Sequence, residues 1–440
     1  MIFARLPVKQ AVLRQAAPAV ASQLIALIYS LADTWFVGLL NDPRETAAVT
    51  VVYPAFVMLT AISNLFGVGG AAALARALGS GDEKASSEAP SVSFFFGIVP
   101  AAAFVLCFFA FMRPLLMLCG ATEQTLPFCE GYARGIILIG GVFTVMSAVL
   151  ANLIRARGYA LAASIGLSLG GALNILLDPF FILPRYMGLG AAGAGCATAA
   201  ANAVSFVFLL VFALKKDGGA LGLDVKKLRA FRTHIGGILK TGFPSAVQYA
   251  LTVVAIAAQS RFVSGYGTAA VAGLGIVKKL DMLPLYFSIG ISTGLLPLLA
   301  FNHAAGKMRR MNECFRFGTA LSFGFALFCF AAYELFAPAL CGLFIADENT
   351  VTLAAAFLRR MVTAMPLMAI CYPMIIRFQA TGRNREALAC SVLRKGVLDV
   401  PLLFIMDALI PLYGLMWVQP IVDGISLTAA LLLSRRGSKA

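Results

Sequence analysis

The sequence predicts an all-α integral membrane protein of about twelve transmembrane helices, arranged as two six-helix bundles. Three observations support this fold class: an apolar composition, basic loops that recur at regular intervals, and an internal repeat. Of the 440 residues, 60% are hydrophobic and only 12% are charged, and the mean hydropathy is +0.88. Because soluble domains contain about 45–50% apolar residues, this composition indicates a polytopic membrane protein.

The apolar residues are grouped in runs long enough to cross a bilayer core of about 30 Å, which takes roughly 20 helical residues. The first run lacks a cleavage site, so it is expected to be its own insertion signal rather than a removable signal peptide. The centres of the runs lie near Ile25, Leu59, Val105, Gly141, Leu169, Phe206, Val254, Ile289, Phe325, Leu367, Leu402 and Ile421.

The net charge of +15 is concentrated in every second loop, which argues against nucleic acid as a partner. By the positive-inside rule these loops and both termini lie in the cytoplasm, and the chain is expected in the cell membrane. The basic residues of these segments include Arg5, Lys9, Arg14, Arg76, Lys84, Arg155, Arg157, Lys215 to Arg232, Lys307, Arg309, Arg310, Arg383, Arg385, Arg435, Arg436 and Lys439.

The two halves of the chain match each other. The corresponding positions are Pro18 and Pro244, Gly81 and Gly306, and Gly158 and Gly382. The successive intervals are 63 and 77 residues in the first copy, and 62 and 76 in the second. The repeat predicts an N-terminal bundle at residues 1–222 and a C-terminal bundle at 223–440, related by an axis along the membrane normal. Two such bundles enclose a cleft that can open to either side, which is the geometry of an alternating-access transporter.

One apolar run contains an amide and a carboxylate one helical turn apart, Asn174-Ile-Leu-Leu-Asp178-Pro179. Residues four apart share a helix face. A carboxylate at mid-membrane costs about 2.5–3.5 kcal/mol on insertion scales and usually faces a protein interior or a water-filled cavity. We therefore predict that this face lines a cavity and carries an exchangeable proton. The alternative is a structural Asp178 that caps backbone groups freed by Pro179.

A second acid, Asp33, lies toward the outer end of the first predicted helix, beside Trp35. Two carboxyl groups in one low-dielectric site cannot both ionise cheaply, so Asp33 and Asp178 together would exchange a proton near neutral pH. The alternative for Asp33 is a position at the membrane surface, where Trp35 fits an aromatic belt. The candidate hydrogen-bond partners on the fourth, fifth and sixth helices are Asn152, Asn174 and Thr198.

In the second bundle, Asp399 is the candidate acid, because it lies near the position that matches Asn174. Asp281 follows Lys278 and Lys279 at helical spacing, which predicts that these lysines neutralise it. Asp423 is expected closer to a helix end, where solvation is cheap. The nine cysteines show no metal-ligand spacing, so neither a metal nor a cofactor is predicted.

Taken in order, these segments resemble the multidrug and toxic compound extrusion (MATE) family over nearly the whole chain. The resemblance implies a V-shaped antiporter that exports cationic amphipathic compounds in exchange for protons or sodium. It also implies that Asp33, Asn152, Asn174, Asp178 and Thr198 form a coupling cluster in the first bundle. The residues that carry the resemblance are Pro18, Asp33 to Gly38, Ala47-Ala48-Val49, Gly81-Asp82, Arg157-Gly158, Asn174 to Pro179 and Gly242-Phe243-Pro244.

The resemblance also bears on which ion drives transport. The sodium-coupled members of the family carry a Glu on the seventh helix and an Asp on the tenth. Here neither Pro244 to Thr252 nor Tyr372 to Gln379 contains an acid, which favours protons. The expected partners are therefore the lipid bilayer, a small cationic substrate and protons, with the chain functioning as a monomer.

Two other functions remain as alternatives. A flippase for a lipid-linked saccharide or lipid would share the architecture. An intramembrane enzyme would need a nucleophile with a base, or a His-rich metal site. The two histidines, His234 and His303, are predicted in or beside cytoplasmic loops, so the second alternative is disfavoured.

Overall fold

A computed structural model of the chain describes residues 6–215, 221–345 and 347–436. The predicted basic positions Arg5 and Lys439, and the part of the linker at 216–220, lie outside the described residues. The described residues are almost entirely helical and include no strand. This confirms the predicted all-α fold class.

The described residues of the first half form eight α-helices, with a π-helical segment, Arg134–Ile139, between the fifth and the sixth. They are α1 (Val8–Gly38), α2 (Pro43–Ser80), α3 (Glu83–Ala110), α4 (Met112–Leu118), α5 (Leu126–Ala133), α6 (Gly141–Ala156), α7 (Ala160–Ile182) and α8 (Gly190–Lys215).

Eight α-helices are also formed by residues 231–345 and 347–436, preceded by the short 3-10 helix Val225–Ala230. They are α9 (Phe231–Ser264), α10 (Thr268–Ala304), α11 (Met308–Gly342), α12 (Glu348–Met361), α13 (Met365–Ala380), α14 (Asn384–Val392), α15 (Asp399–Leu409) and α16 (Gly414–Arg436). A 3-10 turn, Val362–Ala364, joins α12 to α13. Apolar side chains form one large core across the first half and its contact with the second, and a smaller core within the second half.

Ten helical segments among the described residues are long and apolar enough to cross a membrane. An eleventh span results if Leu126–Ile139 and Gly141–Ala156, which meet at 44°, are counted together. The predicted run near Leu402 is divided instead into α14, a π-helical segment at Leu393–Val397, and α15. Lys395 interrupts the helix there with φ −138° and ψ 47°. This run is therefore a broken helix, and the break falls at the adjacent charged residues Arg394 and Lys395.

Four loops at one end of the molecule share a glycine in the left-handed region. Gly81, Gly158, Gly306 and Gly382 have φ values of 76°, 103°, 70° and 76°, and they follow α2, α6, α10 and α13. A residue with a Cβ adopts this conformation only at a cost, so glycine is the usual residue just after a helix C-terminus. The spacing of the repeat therefore has a physical cause. We call the end that carries these four loops the basic end.

The two halves meet near the basic end, where α2 packs against α9 and α1 packs against α10. A Cβ on Gly242 of α9 would overlap the carbonyl oxygen of Leu65 in α2. Reciprocally, a Cβ on Gly69 of α2 would overlap the carbonyl oxygen of Ile238 in α9. Small residues permit helix backbones in membranes to approach this closely. We call this reciprocal contact the α2–α9 seam.

The contact between α1 and α10 also depends on glycine. Cβ atoms on Gly290 and Gly294 would lie 2.6 Å from the Cα atoms of Val20 and Ala16, respectively. Five helical turns from Gly290 along the same face of α10, Ala272 is exposed. The close contact between α1 and α10 therefore does not extend along the whole of α10, and we call the space between the halves beyond it the cleft.

Polar contacts also join the halves at the basic end. Arg76 of α2 donates hydrogen bonds to the backbone carbonyl of Gln379 in α13 (3.1 Å) and to Thr241 Oγ1 in α9 (3.3 Å). His234 Nε2 of α9 lies 2.8 Å from Glu88 Oε2 of α3. Together with the glycine contacts, these interactions close the basic end.

Candidate functional site

Asn174 and Asp178 lie on α7, where this helix packs against α1 and α8. Asn174 Nδ2 donates hydrogen bonds to Asp178 Oδ1 and to Thr198 Oγ1 of α8, both at 3.1 Å. Asp178 is completely buried, and the other two side chains are almost completely buried. Among the described residues, no backbone amide donates to Asp178, so the carboxylate does not cap the helix at Pro179. The structure thus brings three of the predicted residues into one buried network.

Asp33 faces the interior of the first half rather than the membrane surface. Its side chain on α1 is 7% exposed, whereas neighbouring Trp35 is 60% exposed. Asp33 Oδ2 accepts a hydrogen bond from the hydroxyl of Tyr132 on α5 at 3.4 Å. Asp33 and Asp178 interact electrostatically but share no hydrogen bond.

Tyr132 is a site residue that the sequence analysis missed. It is buried on α5, immediately before the π-helical segment Arg134–Ile139. Its hydroxyl donates to Asp33 and interacts electrostatically with Asp178 as well. A tyrosine in an apolar run has no local pattern that distinguishes it from a packing residue, so only the tertiary structure reveals this contact.

Asn152 does not join this network, in contrast to the prediction. Its Nδ2 donates to the carbonyl of Ala148 on its own helix at 2.9 Å, and its Oδ1 accepts from Arg155 at 3.4 Å. The side chain lies against Gly67 of α2, where a Cβ would come within 2.8 Å of Asn152 Nδ2. The packing of α6 on α2 therefore turns Asn152 away from α7.

None of the described residues donates a hydrogen bond to three buried oxygens of the network: Asp33 Oδ1, Asn174 Oδ1 and Asp178 Oδ2. A buried polar atom without a partner costs about 1–3 kcal/mol, and more when it is charged. Such atoms are normally satisfied by water, a proton or a cation. The network therefore has the capacity to take up a positively charged species.

A cavity of about 100 Å³ adjoins this network between α1, α7 and α8. A water molecule takes up about 30 Å³ in the liquid, so the cavity can hold a few waters. Its polar walls provide hydrogen-bond partners for water between the network and the basic end. The polar residues that line it are Ser22, Gln23, Tyr29, Asn174, Thr198, Asn202 and Ser205.

A group of tyrosines lies between the two halves, beyond the α2–α9 seam. Tyr286 of α10 lies in the neighbourhood of four other tyrosines contributed by both halves. All five are partly accessible, so their rings and hydroxyls line the cleft. Aromatic faces attract organic cations. The other four are Tyr29, Tyr53, Tyr249 and Tyr372.

The second half contains a different arrangement. Asp399 lies in the first turn of α15 with 5% of its surface exposed, and no donor from the described part of the chain reaches its Oδ2. Asp423, expected near a helix end, is instead fully buried and forms an ion pair with Arg394 at 2.7 Å. The sequence analysis missed Arg394, although two adjacent charges in an apolar run were a visible signal.

Each half of the chain separately resembles a known protein family. A family model described as MatE matches residues 18–180 and again residues 244–405. The multidrug export protein MepA of Staphylococcus aureus (strain MSSA476) is 28% identical over 432 residues, which cover 98% of this chain and 94% of that protein.

Solved structures share the fold over almost the full length. An outward-facing multidrug resistance MATE family transporter of the MOP superfamily superposes with a TM-score of 0.91 at 23% identity, covering 99% of this chain and 96% of that one. A MOP superfamily transporter from Pyrococcus furiosus, described as having a binding pocket of reverse polarity, gives a TM-score of 0.92 at 22% identity with the same coverage. At these identities the likeness establishes the fold alone.

Proposed function

Because the chain belongs to the MatE family, whose members are membrane transporters rather than enzymes, we propose that it exports cationic amphipathic compounds in exchange for protons. Drug efflux as the general activity follows from the family and from the multidrug export proteins related to this chain. The proposal adds the coupling ion, the substrate charge and the residues that carry them.

Proton coupling is supported by the unpartnered oxygens of the first-half network. Asp33 and Asp178 are both buried, and each has one carboxylate oxygen to which no described residue donates. Protonation of either carboxyl replaces an uncompensated charge with an O–H donor. The seventh and tenth predicted spans correspond to α9 and α13, and neither of these described helices contains the family's acid; Gln248 and Gln379 are buried polar side chains of these helices instead. Sodium coupling in the second half is therefore disfavoured.

The proposed cycle links the charge of Asp33 and Asp178 to substrate release. With the carboxyls ionised, the cleft attracts a cation, which the tyrosine rings bind through their faces. Protonation removes the negative charge and weakens cation binding. A ligand can shift a conformational equilibrium only by its different affinity for the two states. Asp33, Asp178, Asn174 and Thr198 are proposed as coupling residues on this basis, with Tyr132 as an added member.

The same proposal includes the orientation. The basic end lies in the cytoplasm, as the positive-inside rule predicts, and the cleft opens to the outside. Both termini are cytoplasmic, the bundles divide at residues 222 and 223, and a single chain in the cell membrane carries out transport.

Export of a fluorescent lipophilic cation from energised cells tests the proposal. The proton gradient is collapsed with a protonophore, and the sodium gradient is collapsed separately with a sodium ionophore. We expect export to fail on proton collapse and in the Asp178→Asn and Asp33→Asn variants. Glu123→Gln, which alters an exposed loop acid, is the matched control and should export normally.

Three outcomes would contradict parts of this proposal. Export that survives Asp178→Asn but fails on sodium collapse would move coupling to the second half, with Asp399 the next candidate. Export that is unaffected by loss of either gradient would exclude ion antiport. No export of the cation under any condition would favour the flippase alternative.

A further inference from the structure

A short basic helix lies between the two halves and packs against α3. It is the 3-10 helix Val225–Ala230, and α9 follows it directly. The side chain of Asp224 caps its start by accepting a hydrogen bond from the backbone N–H of Lys226 at 2.8 Å. The Lys227 ammonium donates to the backbone carbonyl of Gly222 at 2.7 Å. These contacts give the segment between the halves a defined conformation.

Two contacts fix the position of this helix on α3. At its start, the backbone N–H of Asp224 donates a hydrogen bond to Ser91 Oγ at 3.2 Å. At its end, the ring of Phe231 stacks on the ring of Phe96, with the two centroids 4.0 Å apart. The basic helix therefore lies alongside α3 and is not a free loop beyond the basic end.

The contact with Ser91 places the basic helix close to one boundary of the bilayer core. The far end of α3 is Ala110, and Arg113, just beyond it, is exposed. Charged residues flank membrane spans at the water interface, so this far end lies near the opposite boundary. The helix from Ser91 to Ala110 is about 29 Å long, and the bilayer core is about 30 Å thick. The basic helix is therefore at the level of the lipid headgroups.

Three exposed basic side chains follow one another along this segment. Residues three apart share a side of a 3-10 helix and are neighbours on an α-helix. Lys226 and Arg229 have this spacing, and so does Arg232 in the first turn of α9; all three are exposed. Throughout the described ranges, no carboxylate oxygen lies within 4.0 Å of their nitrogen atoms. We call these three side chains the basic row.

We propose that the basic row binds the phosphate groups of anionic phospholipids. Lysine and arginine bind phosphate through charge-assisted hydrogen bonds, and a basic cluster beside a membrane-spanning helix attracts anionic headgroups. Val225, next to Lys226, is 62% exposed, so the same surface also offers an apolar side chain at the edge of the core. A bound lipid would hold the segment between the halves at the bilayer surface. This inference does not depend on the proposed coupling ion or substrate.

Lipid binding to the purified protein in a neutral detergent tests the proposal. Native mass spectrometry counts the bound lipids while phosphatidylglycerol or phosphatidylcholine is added in increasing amounts. A basic residue near an anionic membrane surface raises affinity about 5-fold. We therefore expect the combined variant Lys226→Gln, Arg229→Gln and Lys226's neighbour along the row, Arg232→Gln, to bind phosphatidylglycerol about 100-fold more weakly. Its binding of phosphatidylcholine should be unchanged.

A charge-matched control separates the basic row from the net charge of the protein. The combined variant Lys84→Gln, Lys307→Gln and Arg309→Gln removes three exposed basic side chains elsewhere at the basic end, and it should bind phosphatidylglycerol as the wild type does. Equal losses in the two combined variants would mean that net charge alone attracts the lipid. Undiminished binding in the basic-row variant would also overturn the proposal.

Two further measurements complete the test. A large excess of inorganic phosphate should not displace phosphatidylglycerol from the wild type; displacement would identify a site for free phosphate instead of a lipid. Thermal unfolding without lipid checks that the combined variants are folded. If the basic-row variant is not, Arg229→Gln alone should still lose about 5-fold in affinity for phosphatidylglycerol, and no loss in this variant would overturn the proposal.

Discussion

The α2–α9 seam makes a quantitative prediction about the balance between conformations. In Gly242→Ala, the added methyl group overlaps the backbone of Leu65, which cannot swing away as a side chain can. Overpacking of this kind costs about 1–3 kcal/mol. The cost applies only while the seam is closed, so the ratio of open to closed molecules at the basic end should rise by about 5- to 150-fold.

Distance measurements at the basic end can detect this shift. Cysteines introduced at the exposed positions Lys84 and Lys307, one on each half, carry spin labels. Pulsed electron resonance in lipid measures the distance between the two labels. Protein labelled in the same way without the two added cysteines is the background control. Gly242→Ala should add a population with longer distances. Gly237→Ala on the same helix is the matched control, because a Cβ there has no neighbour within 4 Å. Identical distance distributions for the two variants would refute the steric argument.

Three further predictions concern stability and closure. Asp423→Asn leaves a buried guanidinium unpaired and should destabilise the protein in thermal unfolding by about 3–5 kcal/mol, whereas Arg309→Gln, which breaks an exposed pair, should cost about 1 kcal/mol or less. Arg76→Gln removes two hydrogen bonds across the closed end, so it should lengthen the same label distances, by a smaller population shift than Gly242→Ala. Hydrogen bonds from Thr350 lower the pKa of Asp347 at the start of α12. The ionised carboxylate of Asp347 therefore stabilises the fold fully above its ordinary pKa of 3.8. This stabilisation is lost as the pH falls through the lowered pKa.

Each of these predictions has an outcome that contradicts it. Equal losses for the buried and the exposed ion pair would mean that the second-half core tolerates an unpaired arginine. Unchanged distances in Arg76→Gln would mean that its two hydrogen bonds do not contribute to closure. Asp347 caps the start of α12 through its side chain. The melting temperatures of Asp347→Ala and the wild type should differ at pH 7 and converge by about pH 2, below the range in which the Asp347 carboxyl is ionised. A constant difference across that range would contradict the assigned cause.

Features that depend on local sequence could be predicted. The contact between Asn174 and Asp178 follows from their spacing of four on one helix. Gly81 and Gly306 were recognisable as repeat markers because a left-handed residue after a helix requires glycine at both places. Neither inference needs knowledge of how helices pack.

Features that depend on helix rotation could not be predicted. Asn152 and Thr198 were equivalent candidates from sequence, but packing against Gly67 directs the first away from α7 while the second meets Asn174. The contact of Tyr132 with Asp33 joins residues 99 positions apart. The interruption at Lys395 was also missed, because an apolar run with charges can continue as a helix when its partners accommodate them.

The reciprocal geometry of the α2–α9 seam has a kinetic consequence. Gly242 contacts the backbone of Leu65, and Gly69 contacts the backbone of Ile238. Each helix therefore has a glycine against which the backbone of the other helix packs. Separating α9 from α2 at one of these two contacts also loosens the other. We therefore expect the basic end to open in a single cooperative step, with one relaxation time and no lasting half-separated intermediate.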